Sequence, residues 1–222
     1  MPTEPLITPA PPRRTQVRRK AERGRYDRNT IEGILDEGLV AHVGVVTGDG
    51  CVVIPMVYGR SGDSLYLHGA TGNSTLRAAL AERDISVTVT LLDGLVLSRS
   101  SYHHSVNYRS VVIFGRAAEV TDPAEKRNAL LAVVEHLVPG RADDCRPPSE
   151  SELRATSVVR LPIDEASAKV REGGPVEDPD DLVLPYWAGV LPLAVTPGRP
   201  VADGFVPSDV ALPPYVRTYA RG

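Results

Sequence analysis

Apolar and polar residues along this chain change their period several times, and each change marks an element. Between Asp27 and Gly38, Ile31, Ile34 and Leu35 share one face at helical spacing, and Gly38 is placed to end the helix. From Ala41 the pattern turns extended. Ala41–Thr47 and Cys51–Tyr58 are β-rich runs joined by Gly48-Asp49-Gly50, whose glycines tolerate the positive φ of a tight hairpin. Ser61-Gly62-Asp63 turns the chain again into Ser64–His68, so three consecutive strands are expected to form a meander.

Asn73–Glu82 reads as a short helix with Leu76, Ala79 and Leu80 inward. In the next run Ile85, Val87, Val89 and Leu91 alternate with Ser86, Thr88 and Thr90, the mark of a sheet buried on one face. Asp93-Gly94 reads as a turn before Leu95–Ser98, and Tyr108–Val120 as the longest strand. Asp122-Pro123-Ala124-Glu125 has the form of a helix start. That helix carries Leu130, Leu131, Val134, Leu137 and Val138 inward and stops at Pro139-Gly140. Ser149–Ala155 adds a helical turn, Thr156–Arg171 a closing strand, and Asp164-Glu165 a surface turn. Beyond Glu172, nine prolines exclude a central strand or long helix and predict an extended tail. The class is therefore α+β, mainly β, with antiparallel strands in a barrel or a sandwich. Three parts are expected: a flexible basic arm over 1–25, a folded domain over 26–171, and a Pro/Gly-rich tail over 172–222.

Composition narrows the function classes. A hydrophobic content of 42% supports a proper core, and a net charge of −3 gives no general pull toward nucleic acid or an acidic membrane. The basic run Arg13, Arg14, Arg18, Arg19, Lys20, Arg23 and Arg25 lacks the interleaved aromatics of a single-strand binder, so no nucleic-acid partner is expected. Cys51 and Cys145 form no CxxC pair, and no apolar run is long enough for a membrane span or a signal peptide. The expected location is the cytoplasm.

One turn carries candidate chemistry. Ala70-Thr71-Gly72-Asn73-Ser74-Thr75 is a small, polar strand-to-helix connection with Asn73 as a good N-cap. Free N–H groups and the positive end of the dipole suit a phosphate there, and an ordinary capped helix reads the same way. No nucleophile motif, P-loop or dinucleotide fingerprint is present. His103 and His104 are adjacent and point to opposite sides of an extended segment, so they cannot both face one metal, and no cysteine or acidic cluster completes a zinc set. No metal is expected.

The segment Ser98-Arg99-Ser100-Ser101-Tyr102-His103-His104-Ser105-Val106-Asn107-Tyr108-Arg109-Ser110-Val111-Val112-Ile113-Phe114-Gly115 closely resembles FMN-binding split-barrel proteins. These are the pyridoxamine 5'-phosphate oxidase-like group that includes the nitroimidazole-resistance proteins. Val53–Tyr58, Leu65–Gly69, Leu92–Val96 and Pro185–Val190 follow in the same order, over roughly residues 20–193. The resemblance implies a six-stranded antiparallel Greek-key split β-barrel with a few peripheral helices, acting as a homodimer with FMN at the subunit interface. It implies that Ile54, Pro55, Met56, Val57 and Tyr58 lie along the isoalloxazine. His68 stands at a strand end beside the flavin, and Gly69, Ala70, Asn73, Ser74 and Arg77 approach the phosphate. Arg109 and Ser110 reach the flavin from the opposite subunit. Related proteins usually carry an Arg or Lys near Ser74; here the nearest cation is Arg77, with Arg99 and Lys169 as further candidates.

His68, His104 and Trp187 are the pocket candidates, and no catalytic acid, base or nucleophile is singled out. The implied activity is FMN-dependent oxidation or reduction of a small molecule at flavin N5, since a flavin carries that chemistry itself. The alternatives are a non-catalytic flavin carrier or sensor, and a haem-binding split barrel with a histidine ligand.

Overall fold

The structure, a computed structural model, describes residues 13–81 and 84–221. The Pro-rich start of the basic arm (1–12) and Glu82, the expected end of the second helix, lie outside the described residues. Ten strands form one antiparallel sheet system: β1 (Gly24–Arg25), β2 (Val40–Thr47), β3 (Gly50–Ser61), β4 (Ser64–Ala70), β5 (Ile85–Leu97), β6 (Ser105–Gly115), β7 (Ala118–Glu119), β8 (Thr156–Pro162), β9 (Glu165–Arg171) and β10 (Gly189–Pro192). The helices are α1 (Arg28–Glu37), α2 (Ser74–Ala79), α3 (Pro123–Leu137), α4 (Glu150–Ala155) and α5 (Pro214–Arg217). The strand order is β1-β9-β6-β5-β2-β3-β4-β8-β7, with β10 added to the end of β5. This is a mainly β protein with few helices. The six-strand count does not hold, and the sheet is not closed.

The local signals act as their chemistry dictates. The Asp27, Asn73 and Asp122 side chains each accept the N–H three residues on, and Ser149 and Glu152 form a reciprocal capping box. Alternation in β2 buries Ala41, Val43 and Val45 and leaves Val40, His42 and Val46 outside. These inward residues meet Val87, Val89, Val111, Ile113, Leu65, Leu67, Val159 and Leu161 in one core, closed by Ile31, Ile34 and Leu35 of α1.

Three expectations are corrected. Asp93-Gly94 makes no turn: β5 runs through it with a register shift between Leu92 and Gly94, a bulge at which glycine leaves room for β10, since a Cβ there would sit 3.1 Å from the Leu191 carbonyl oxygen. The run Thr156–Arg171 is two strands, β8 and β9, at opposite ends of the strand order, because Ile163-Asp164 turns the chain from one sheet to the other. The run Tyr108–Val120 likewise divides into β6, which starts earlier at Ser105, and the short β7; β5 is longer than either.

β3 connects the two halves. Gly50–Val57 pairs with β2 and Tyr58–Ser61 with β4, so the strand changes sheet at Tyr58. Tyr58 is fully buried, its hydroxyl donates to the Leu35 carbonyl, and it lies 3.1 Å from that of Gly38. Gly59 beside it admits α3: a Cβ there would lie 2.7 Å from the backbone nitrogen of Val133.

The segments flanking the family-like core also touch it. Arg14 is ion-paired to Glu165 and Asp84, and β1 pairs with β9. In the tail, β10 pairs with β5, Tyr219 donates to the Leu137 carbonyl, and Arg221 donates to the carbonyls of Asp36 and Glu37. Replacing Tyr58 with Phe strips the buried carbonyls of Leu35 and Gly38 of a donor. Unfolding in urea is expected to show a loss of about 1–3 kcal/mol; an unchanged midpoint would show that the hydroxyl does not tie α1 to the sheet.

Candidate functional site

The divergence of β3 from β4 creates the first half of the site. Ile54, Pro55, Met56 and Val57 have β2 on one side, and no strand among the described residues on the other. Unpaired backbone N–H and C=O groups along such an edge are ready partners for a flat heteroaromatic ring. Val53 is 62% exposed and Ile54 and Val57 are each 37% exposed, while Met56 packs partly against the core. Tyr58 stands apart. Its side chain is closed off in the core and holds the fold, so only its backbone faces the strand's edge.

The turn after β4 supplies the second feature. Asn73 Oδ1 accepts the Leu76 N–H at 3.0 Å, and the Asn73 N–H donates to the Ala70 carbonyl at 2.8 Å. Gly69 lies under this turn, where a Cβ would sit 2.9 Å from Asn73 Nδ2. Ser74 and Arg77 line one cleft of about 460 Å³ with Val46, Thr47, Gly48 and Ala78. Among the described residues Arg77 has no acidic partner, so its charge is available to an anion.

Arg109 and Ser110 lie elsewhere. The Arg109 guanidinium bridges Glu37, at the end of α1, and Asp93, in the β5 bulge, at 2.8 Å from the latter. The hydrogen bonds to Glu37 and Asp93 raise its pKa well above the usual arginine value. It borders a second cleft, of about 490 Å³, with His42, Thr90, Leu92, Leu193 and Arg221. Ser110 pairs with Lys169 on β9, and its Oγ lies 3.4 Å from that residue's carbonyl oxygen. Between Pro55 and β6 run β2 and β5, through the pairs Pro55–His42, His42–Thr88 and Thr88–Val112. Three inter-strand steps amount to about 14 Å. One chain therefore keeps the two groups of residues apart.

His68 carries a buried Nδ1 with no hydrogen-bond partner, and burial holds its pKa below the usual 6.5. The His104 Nδ1 lies 3.1 Å from the Ser100 carbonyl, which fixes the ring and leaves Nε2 free of that bond. His103 lies 3.3 Å from Asp178, and Asp181 joins them with all donor atoms within 4.8 Å. Acidic groups therefore do stand with His103, contrary to the reading of the sequence. Trp187 is 69% exposed and packs its ring over Gly189 at the start of β10.

A profile of the pyridoxamine 5'-phosphate oxidase family matches residues 27–170. The chain belongs to this family. Its fold is similar to that of the flavocytochrome Anf3 from Azotobacter vinelandii, at 39% identity and a TM-score of 0.90, covering 96% of this chain and 99% of that one. It is similar also to an FAD and haem binding protein from Mycobacterium smegmatis, at 36% identity and a TM-score of 0.83, over 88% of this chain and 96% of that one. A Bacteroides thetaiotaomicron protein named for 5-nitroimidazole antibiotic resistance is 26% identical, with a TM-score of 0.57, over 66% and 86% of the two chains. No curated protein matches by sequence.

This pyridoxamine 5'-phosphate oxidase family member is also held by long-range contacts that sequence reading passed over. Glu177, only 4% exposed, accepts hydrogen bonds from the Ser98 hydroxyl and the Arg99 backbone and guanidinium. Arg99 is thus occupied away from the Ser74 turn. Neither Glu177 nor the Glu37–Arg109–Asp93 bridge has a local signal, since each joins segments far apart in sequence. His42 went unremarked as well, though its place in an alternating strand put it on the outer face. No helix among the described residues is long and apolar enough to cross a membrane.

Burial lowers the pKa of both His68 and His136. The unfolded chain then binds protons more readily than the folded one, so their contribution to stability is complete above about pH 6.5 and is lost as pH falls through and below it. Melting temperatures at pH 7.5 and 5.5 check this. The lower pH is expected to give the lower value, with a smaller difference in His68→Leu; equal dependence in both proteins would sink the assignment to His68.

Proposed function

We propose that this protein binds a flavin nucleotide as a homodimer and uses it to oxidise or reduce a small molecule. The observation that carries the reading is the open β3 edge, Ile54 to Val57, in a chain whose β4–α2 turn also offers Ser74 and an Arg77 that has no acidic partner among the described residues. The edge would hold the ring system by backbone hydrogen bonds. The turn would hold phosphate through Ser74, the Asn73-capped helix start and Arg77. When bound, the flavin supplies hydride or electron transfer at its N5, and the chain's own groups bind, orient and exclude water.

Among the flavins we favour FAD over FMN, because the M. smegmatis relative, 36% identical, is named as an FAD and haem binding protein.

The homodimer is supported by the separation of Ser110 from Pro55. A two-fold partner laid on the outer sheet face would bring its Arg109 and Ser110 side to the β3 edge. The two-fold arrangement is also the commonest way for one patch to cover itself. Purified protein is expected to be yellow, with flavin absorbance bands and FAD released on heating; a colourless protein that gains no bands with FAD or FMN would reject the reading. Arg77→Ala is expected to raise the flavin dissociation constant roughly 10- to 100-fold, the worth of a charge-assisted hydrogen bond.

A second reading adds haem. Two similar structures are named for haem or as a flavocytochrome, and His104 is oriented through Nδ1 with Nε2 spare. His68, with its buried and unpartnered Nδ1 at the end of β4, is the other candidate ligand. A Soret band that survives in wild type and is lost in His104→Ala or His68→Ala would identify the ligand. No Soret band after haem titration would reject haem while leaving the flavin reading intact.

A further inference from the structure

Residues 191–212 form a continuous stretch with every residue exposed to solvent. Both ends of this stretch are fixed to the body. At its start, Pro192 pairs with Gly94 on β5. Beyond its end, Tyr215 bonds to Asp144 and Arg141, and Arg221 grips the carbonyls at the end of α1. A loop this long without secondary structure is either functional or a solvated linker.

Its composition argues against a solvated linker. Between 193 and 213 the charged residues are Arg199, Asp203 and Asp209, against Leu193, Val195, Val201, Phe205, Val206, Val210 and Leu212. Val195, Val201 and Phe205 are 89%, 91% and 94% exposed. Chains that stay solvated are poor in such residues and rich in charge. The prolines at 197, 200, 207 and 213 restrict the arm before it docks, so less freedom is lost on docking.

The same chain leaves a second surface bare. On the outer face of the sheet, Val40, Val53 and Val46 are 43%, 62% and 41% exposed, and Leu92 and Leu95 near the root of the arm are 48% and 38% exposed. Exposed apolar area of this extent marks an interaction site. An arm and a face carried by one chain are both covered when two copies meet about a two-fold axis.

We propose that residues 193–213 are an exchanged arm that embraces a second copy of this chain, laying Val201, Phe205 and Val206 against the partner's outer sheet face. The inference rests on the homodimer proposed above and adds the element that clasps it. Because the arm's root at Gly94 adjoins the bulge that presents Asp93 to Arg109, the clasp runs beside the cleft lined by Arg109 and His42.

The test places the photoreactive residue p-benzoylphenylalanine at position 205 of the full chain. Isotopically light and heavy copies are mixed, irradiated and read by mass spectrometry, with sedimentation of the wild-type chain alongside. The expected result is a covalent species of twice 23.9 kDa containing light–heavy pairs, with cross-links on the strands that carry Val40, Val46 and Val53. A wild-type dimer whose position 205 cross-links only within its own chain, or not at all, overturns the arm and leaves the dimer standing. A wild-type monomer overturns both. As a second measurement, Phe205→Asp with Val201→Asp is expected to weaken dimerisation by roughly tenfold or more. An unchanged dissociation constant would also overturn the clasp.

Discussion

The arrangement turns on the buried hydroxyl of Tyr58. At this residue β3 leaves one sheet for the other, and its side chain donates into the carbonyls that end α1. Those carbonyls have no helical partner of their own, so they need donors from elsewhere. His136 of α3 and Arg221 of the tail converge on the same Gly38 oxygen, at 2.7 and 3.3 Å. A helix end, a strand crossover, a second helix and the returning tail are thus fastened at one point. A tyrosine serves here because it fills core volume and still carries a polar tip to satisfy buried backbone.

The candidate site is a consequence of that crossover. Once β3 commits its last residues to β4, its earlier residues are left with one open edge, and the end of β4 is free to turn into α2. An ordinary sheet would treat such an edge as a hazard to be covered. Here the uncovered edge, Arg77 with no acidic partner among the described residues, and the bare outer face lie in one chain, and the proposed flavin and second copy would use them together. The bridge from Arg109 to Glu37 and Asp93 gives the opposite flank its rigidity. With two carboxylates on one guanidinium, that flank carries no surplus positive charge of its own.

Much of the frame could be read along the chain. The two-residue alternation in Ile85–Leu91, the caps at Asp27, Asn73 and Asp122, and the glycine hairpin before Cys51 are local devices. A residue's own chemistry and its near neighbours decide each of them. The five ordered blocks likewise pointed to the family that the profile match bears out. Sequence reading erred where one local signal had two tertiary outcomes. Asp93-Gly94 serves equally as a turn or as a bulge, and only pairing with β6 and β10 decided for the bulge.

What the chain by itself determined was the class of structure, the order of its elements and the turn where Ser74 and Arg77 come together. What only the tertiary structure decided was the set of long-range partners: Glu37 and Asp93 on Arg109, Glu177 on Ser98 and Arg99, Asp178 and Asp181 beside His103. The physical reason is that a cap or a hairpin is closed by residues a few positions apart, while these contacts join segments whose meeting depends on the whole core. Tyr58 shows the limit plainly. Its place in a strand was legible, but only the crossover revealed that its side chain fastens the fold together.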